Sequence, residues 1–188
     1  MKRVPIALAA VLAFAPAHAA SYFAFLDGSQ EVPPAATPAT GYGTIAIAGD
    51  IMTVDIAYAN LLAPLTIAHI HCCAPRGANA GIAIDLDMIP LPTRLSGSFS
   101  RVFARTLASS FRPAFIAASG GTVELARARL LNAFDSETAY FNLHTSRFPG
   151  GEIRGQIAVL PEPGTWALLV AGFGLVGAMV RRRAFLAA

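Results

Sequence analysis

The sequence predicts a mainly β protein: an antiparallel β-sandwich or barrel with a short helical insertion, flanked by an N-terminal signal helix and a C-terminal transmembrane helix. Three observations lead to this fold class. Short alternating segments separated by glycine, proline, asparagine and aspartate recur through residues 20–160. Apolar runs without a polar face lie at both ends. The stretch between them is long enough for one domain with a single core.

Alternation of apolar and polar residues predicts the strands of this domain. Gly49-Asp50 separates two alternating runs and indicates a hairpin. A proline-rich loop is expected over Asp27–Thr40. The predicted strands are Tyr22–Leu26, Tyr42–Ala48, Ile51–Tyr58, Thr66–His71, Gly81–Leu86, Leu95–Phe103, Ala139–His144 and Glu152–Val159.

One interruption of the β pattern is helical. Pro113–Ser119 has a proline at its start and Gly120-Gly121 after its end, as short helices do. Thr122–Asn132 opens with a threonine suited to capping a helix. The two segments form the predicted helical insertion.

The first nineteen residues have the pattern of a secretory signal peptide. Lys2 and Arg3 precede an apolar run that is too short to span a bilayer. Ala17 and Ala19 form a small-x-small cleavage site, so cleavage is expected after Ala19. The protein is therefore expected to leave the cytoplasm.

Residues 161–188 form a second signal. An uncharged stretch, Gly164–Val180, would make a helix about 26 Å long, close to the thickness of a bilayer core. Arg181, Arg182 and Arg183 follow it at once and would hold that end in the cytoplasm. The small residues of this stretch suit close helix contact within a membrane.

Pro161, Glu162 and Pro163, the helix and the arginine cluster occur in that order. This arrangement resembles the PEP-CTERM sorting tail of exported bacterial proteins. The resemblance implies recognition by an exosortase, a membrane protease-transpeptidase that cuts near the Pro-Glu-Pro motif. It also implies an inner-membrane-anchored precursor that later reaches the cell surface or the extracellular space.

The net positive charge of the chain comes from these two signals. Residues 20–160 contain nine arginines, no lysine and ten acidic residues, which gives a net charge of −1. A nucleic-acid partner is excluded because the domain lacks a basic surface.

Three motifs of the domain are similar to those of the CHRD domain, the module named after chordin. They are Gly28–Pro34, Ala68–His71, and Asn142–Thr145 together with Phe148–Gln156. The resemblance implies an immunoglobulin-like or superoxide-dismutase-like barrel. It implies little about activity, because a fold alone does not determine function.

The histidines of these motifs are candidate metal ligands. His69 and His71 are two residues apart in a predicted strand, so both imidazoles project from one face. His144 would join them if its strand lies beside theirs, and three imidazole nitrogens suit copper or zinc. Asp85 and Asp87 are candidate additional ligands or partners of the ligands. The alternative is that the histidines only form hydrogen bonds. A copper-zinc dismutase would need more histidines than these three.

Cys72 and Cys73 directly follow the histidine pair. In an exported protein they could form a vicinal disulfide, remain as thiols, bond to another molecule or bind a metal. The vicinal disulfide is the first choice, because exposed thiols rarely persist outside the cytoplasm.

The segment that follows Pro149 is predicted to be a turn into the last strand. Glu152, Arg154 and Gln156 then alternate on one face of that strand. A charge ladder on a solvent-exposed face is the preferred interpretation, and a surface binding patch is the alternative.

No motif of a catalytic nucleophile or a phosphate-binding loop is present in the sequence, so no enzyme activity is predicted. The expected function is a structural or binding role at the cell surface or in the extracellular matrix, with extracellular polymers or surface components as partners. The alternative is an envelope metal-binding or redox protein with a single copper or zinc site at the His-x-His motif.

Overall fold

A computed structural model describes residues 20–87, 94–160, 169–174 and 176–177. The predicted signal peptide with Ala17 and Ala19 lies outside these residues. So do the Pro161–Pro163 motif and the Arg181–Arg183 cluster. Residues 169–174 and 176–177 are helical. Among the described residues, no helix combines the length and apolar character needed to cross a membrane. The predicted span 164–180 lies only partly within them.

The described chain is mainly β, and its strands form one antiparallel sheet that curls into a half-barrel. The strands are β1 (Ala20–Asp27), β2 (Thr40–Ala48), β3 (Ile51–Ala59), β4 (Leu65–Cys72), β5 (Ile82–Asp85), β6 (Gly97–Ala104), β7 (Ala139–Thr145), β8 (Ile153–Gln156) and β9 (Ala158–Val159). Their order in the sheet is β5-β4-β7-β8-β1-β2-β3-β6, and β9 pairs with β1.

The predicted strands are present with small shifts at their ends. Leu95 and Ser96 precede β6 instead of belonging to it, and the segment predicted over Glu152–Val159 divides into β8 and β9. The hairpin at Gly49-Asp50 is confirmed, with Gly49 at a φ of +56° that suits glycine.

Two helices cover the open side of the sheet. They are α1 (Pro113–Ala118) and α2 (Val123–Asp135), which confirms the helical insertion. Thr122 caps α2 as predicted, because its side chain accepts a hydrogen bond from the backbone N–H of Leu125. Phe134 of α2 packs against Tyr22 of β1, with ring centroids 5.1 Å apart. The apolar core therefore lies between the inner face of the sheet and the helices.

The interpretation of Glu152, Arg154 and Gln156 as a solvent-exposed ladder is wrong. All three side chains are buried, and Glu152 has no exposed surface at all. Parity places them opposite the apolar core, as predicted, but segments of the loops before β2 and β5 cover that face. The alternation of side chains in the sequence indicated that this strand has two faces. It could not show that both faces are covered by other parts of the chain.

Glu152 is a structural carboxylate. One oxygen accepts hydrogen bonds from the hydroxyl of Thr37 and the backbone N–H of Leu62, each at 2.7 Å. The other accepts one from the hydroxyl of Thr145 at 2.7 Å. The side chain thereby ties the loop before β2 and the segment before β4 to the end of β7.

We expect Glu152→Ala to lower the free energy of unfolding by about 3 kcal/mol or more, because it leaves buried donors without an acceptor. Urea unfolding of the full chain in mild detergent, followed by circular dichroism, measures this loss. Glu124→Ala, at an exposed position in the first turn of α2, is the matched control and should cost less than about 1 kcal/mol. Equal losses for the two variants would contradict the role of Glu152.

Candidate functional site

The three histidines within residues 20–160 meet at one place on the sheet. β4 lies beside β7 in a register that pairs His71 with Tyr140, His69 with Asn142 and Ile67 with His144. Because alternate residues of paired strands share a face, the three imidazoles lie on the same side. One ligand nitrogen from each lies within 4.8 Å of the other two.

In two of the rings, the Nδ1 atom lies within hydrogen-bonding distance of a backbone carbonyl. His71 Nδ1 lies 2.9 Å from the carbonyl oxygen of Ala80, and His144 Nδ1 lies 2.9 Å from that of Pro149. A carbonyl can only accept, so each Nδ1 carries the proton in the neutral ring. His71 Nε2 and His144 Nε2 therefore present lone pairs.

His69 faces both the histidine cluster and β5. Its Nδ1 lies 3.2 Å from His144 Nε2, and its Nε2 lies 3.4 Å from Oδ1 of Asp85. Oδ2 of Asp85 pairs with the guanidinium Nε of Arg112 at 2.5 Å. The carboxylate thus orients His69 from the neighbouring strand, where register places Asp85 opposite it.

Among the nitrogens of the three rings, the buried atom without a hydrogen-bond partner in the described structure is His71 Nε2, and beside the rings Oδ1 of Asp85 and Oδ1 of Asn142 also lack one. Leaving a buried acceptor unpaired costs free energy, so such an atom calls for an explanation. A metal ion bound to the lone pairs of the three rings would supply the missing partner.

Burial keeps the imidazoles neutral. It lowers the pKa of both His69 and His71 to about 4, and the neighbouring histidines add to the effect. It also lowers the pKa of His144. Neutral imidazole is the form that binds metal ions, so the rings need to lose no proton at neutral pH.

Asp85 and Asp87 take different positions. With His69 they form a second group whose ligand atoms lie within 4.8 Å of one another. Asp85 is half-buried and already engaged by Arg112, which suits a residue that orients a ligand. Asp87 is exposed just beyond β5.

The sulfurs of Cys72 and Cys73 are joined to each other in the structure, as a vicinal disulfide. This placement agrees with the first of the four alternatives named for the pair, which stays a prediction.

A layer of buried polar residues supports the histidines from one side. The ring of Tyr140 stacks on that of His71, with centroids 4.9 Å apart and planes 1° from parallel. The guanidinium of Arg154 lies 4.0 Å from the centroid of Tyr140. Arg154 Nε in turn lies 3.3 Å from Oε2 of Glu31, and both side chains are almost fully buried.

Four residues that support the site were not predicted as parts of it. They are Tyr140, Arg154, Glu31 and Arg112. Three of them had a signal in the sequence. Tyr140 is four residues before His144 and shares its face, and Glu31 and Arg154 belong to the Gly28–Pro34 and Phe148–Gln156 motifs. Arg112 had none, because it precedes α1 and reaches β5 only through the tertiary fold.

Glu31 should make the stability of the protein depend on pH. Burial raises the pKa of Glu31 to about 7, although the charge of Arg154 opposes the shift. The folded state therefore holds this proton more tightly than the unfolded state, whose carboxyl titrates near the ordinary value. The resulting stabilisation is fully present below pH about 4.5 and is lost as the pH rises through about 7.

We expect Glu31→Gln, which imitates the protonated side chain, to lack this loss. The free energy of unfolding of the variant minus that of the wild type should therefore rise by about 1–3 kcal/mol between pH 5 and pH 8. Urea unfolding at several pH values measures it, and taking the difference cancels the histidine contributions. A difference that does not change with pH would contradict the shift.

Two family models match the chain. That of the CHRD domain matches residues 22–157, and that of the PEP-CTERM protein-sorting motif matches residues 159–183. Both resemblances stated from the sequence are thereby confirmed. No curated protein and no solved structure matches the chain. The sorting motif indicates an exported protein that an exosortase processes at the membrane.

Proposed function

Since the chain belongs to the CHRD domain family and carries a PEP-CTERM sorting motif, we propose that it is a cell-surface or extracellular-matrix protein whose CHRD domain holds one copper or zinc ion. The domain has a structural or binding role, and the metal site is part of that role. The observation that carries the proposal is the convergence of three neutral, buried imidazoles around the unpartnered His71 Nε2.

The ligand atoms follow from the hydrogen bonds. His71 and His144 bind through Nε2, because their Nδ1 atoms are engaged by carbonyls. His69 binds through Nδ1, which leaves its Nε2–H facing Oδ1 of Asp85 at 3.4 Å. Each ligand then has an acceptor on its other nitrogen, the arrangement by which proteins orient metal-binding histidines.

The distance between His69 Nδ1 and His144 Nε2 is consistent with this arrangement. The two nitrogens are 3.2 Å apart. Two nitrogens bound to one tetrahedral ion at about 2.0–2.1 Å lie about 3.3 Å from each other. Three nitrogen ligands suit copper or zinc over magnesium or calcium, which prefer oxygen.

We expect the full chain, purified in mild detergent and loaded with copper or zinc under reducing conditions, to retain about one ion per chain. Metal analysis after gel filtration measures this ratio, and His69→Ala/His71→Ala should abolish retention. Asp85→Asn should weaken binding about 10–100-fold, because His69 loses its orienting carboxylate. Asp55→Asn is the matched carboxylate control on β3, which does not adjoin the site.

A second control separates the histidines from the cysteines. Cys72→Ala/Cys73→Ala should bind the metal as the wild type does even under reducing conditions, since the proposed ligands are the three histidines and neither sulfur is among them. Circular dichroism confirms that each variant is folded. Wild-type protein without stoichiometric metal, or a double histidine variant that binds as before, would overturn the metal site.

The sorting motif gives the route by which the protein reaches the cell surface. The precursor is anchored in the inner membrane by the predicted helix over 164–180, and the exosortase then cuts near Pro161-Glu162-Pro163. The match over residues 159–183 supports this route. The finished protein would lack the helix.

In cells with an active exosortase, we expect replacement of Pro161, Glu162 and Pro163 by alanine to leave the protein uncut and in the inner membrane. Immunoblotting of membrane, surface and medium fractions detects both size and location. Phe185→Ala, beyond the arginine cluster, is the control and should be processed normally. If the wild type itself stays uncut, the proposed route is wrong.

A further inference from the structure

We propose that the outer face of β1, β2, β3 and β6 binds a neutral glycan chain. We call this surface the glycan face and define it by two groups of residues. The first is the aromatic triad Phe23, Phe25 and Tyr42. The second is the polar row Thr44, Asp55, Ser98 and Ser100.

The aromatic triad is a continuous platform. The ring centroids of Phe25 and Tyr42 are 5.2 Å apart, and those of Phe23 and Phe25 are 5.8 Å apart. Phe25 is 66% exposed and Tyr42 is 39% exposed. Contacting aromatic rings on a soluble surface leave a large apolar area in water, and such patches mark interaction sites.

Strand register places the polar row directly beside the rings. Tyr42 of β2 is followed across the sheet by Ala57 of β3 and Ser98 of β6. The adjacent line runs from Phe23 through Thr44 and Asp55 to Ser100. Hydroxyls and a carboxylate therefore lie one or two strands away from the platform on the same face.

These residues also line a shallow groove that is largely open to solvent. Its lining includes Tyr42, Thr44, Asp55, Ser98 and Ser100, with the small side chain of Ala57 among them. The groove combines an apolar wall with a few polar groups, as ligand sites do.

A sugar chain matches this combination of groups. One face of a pyranose ring consists of C–H groups, which pack against the negative face of an aromatic ring. The hydroxyls at the edge of the same sugar both donate and accept hydrogen bonds, as serine and threonine hydroxyls do. The triad would stack the sugar, and the polar row would bind its hydroxyls.

The charge of the face selects a neutral chain. Arg101 is the one basic residue within β1, β2, β3 and β6 of the described structure, and it is buried. Asp55, exposed in the groove, would repel a polyanion. An acidic polysaccharide or nucleic acid therefore lacks a counter-charge on this surface.

A protein partner or a second copy fits less well. Beyond the triad, the face consists mainly of alanine, serine and threonine, together with Asp27 and Asp55. Alanine, serine and aspartate are depleted in protein interfaces, whose centres hold larger anchors. The larger aliphatic residues on this face, Ile51 and Val102, lie away from the groove lining.

The glycan face is independent of the proposed metal site. The histidines lie on β4 and β7, whereas the face is built from β1, β2, β3 and β6. Glycan binding and metal binding should therefore be separable, and each proposal can fail without the other.

Native gel electrophoresis of the full chain in mild detergent tests the proposal. Gels containing hydroxyethyl cellulose, a neutral β-1,4-glucan, or galactomannan, a neutral mannan, should retard the protein, and gels containing alginate should not. Phe25→Ala/Tyr42→Ala should weaken binding about tenfold or more, because the stacking surface is removed. Chelating bound metal should change nothing.

Three variants sharpen the test. Val102→Ala removes a side chain that is 65% exposed on the same face but lies outside the groove lining, and it should bind as the wild type does. Tyr42→Phe keeps the ring and should retain most of the binding. Asp55→Asn should relax the discrimination against alginate. All replaced side chains are exposed, and circular dichroism checks the fold.

Four results would overturn the inference. One is that neither neutral polymer retards the wild type, and another is that alginate alone does so. The third is retardation that persists in Phe25→Ala/Tyr42→Ala. The fourth is a dimer in analytical ultracentrifugation, without glycan binding, that this double variant dissociates, because the face would then join two copies.

Discussion

The antiparallel pairing of β4 with β7 is the constraint on which the candidate site depends. These strands are far apart in sequence, and their hydrogen-bond register alone brings His144 beside His69 and His71. A shift of one residue would turn one set of imidazoles into the apolar core. The buried residues Ala68, Ile70 and Leu143 on the opposite face make such a shift costly, so the core that stabilises the sheet also assembles the histidines.

The site is unusual in having polar side chains buried on the face away from the main core. Loop segments cover this face and depend on the charged residues beneath them. Glu152 holds two loop segments through its hydrogen bonds, and Arg154 contacts the loop before β5 through Ala78 and Asn79. Low exposure then depresses the pKa of the histidines and raises that of Glu31. The covering loops thus determine the protonation states.

The half-barrel separates two surfaces with different chemistry. The face near β4, β5 and β7 is covered, polar and rich in nitrogen ligands. The outer face of β1, β2, β3 and β6 is open to solvent and carries contacting aromatic rings beside hydroxyl groups. An exported domain with both surfaces could hold a metal ion without using the face that meets other molecules.

The sequence by itself indicated the sorting motif, the strands and the parity of the histidines, because these depend on local composition and on a two-residue repeat. It also indicated both families, since their motifs are short and contiguous. Only the tertiary structure decided that His144 lies beside His69, that Arg112 reaches Asp85, and that Glu152, Arg154 and Gln156 are buried. These facts depend on which strands pair and which loops cover them. Periodicity records that a residue faces one side of a sheet, and only the packed chain determines what lies on that side.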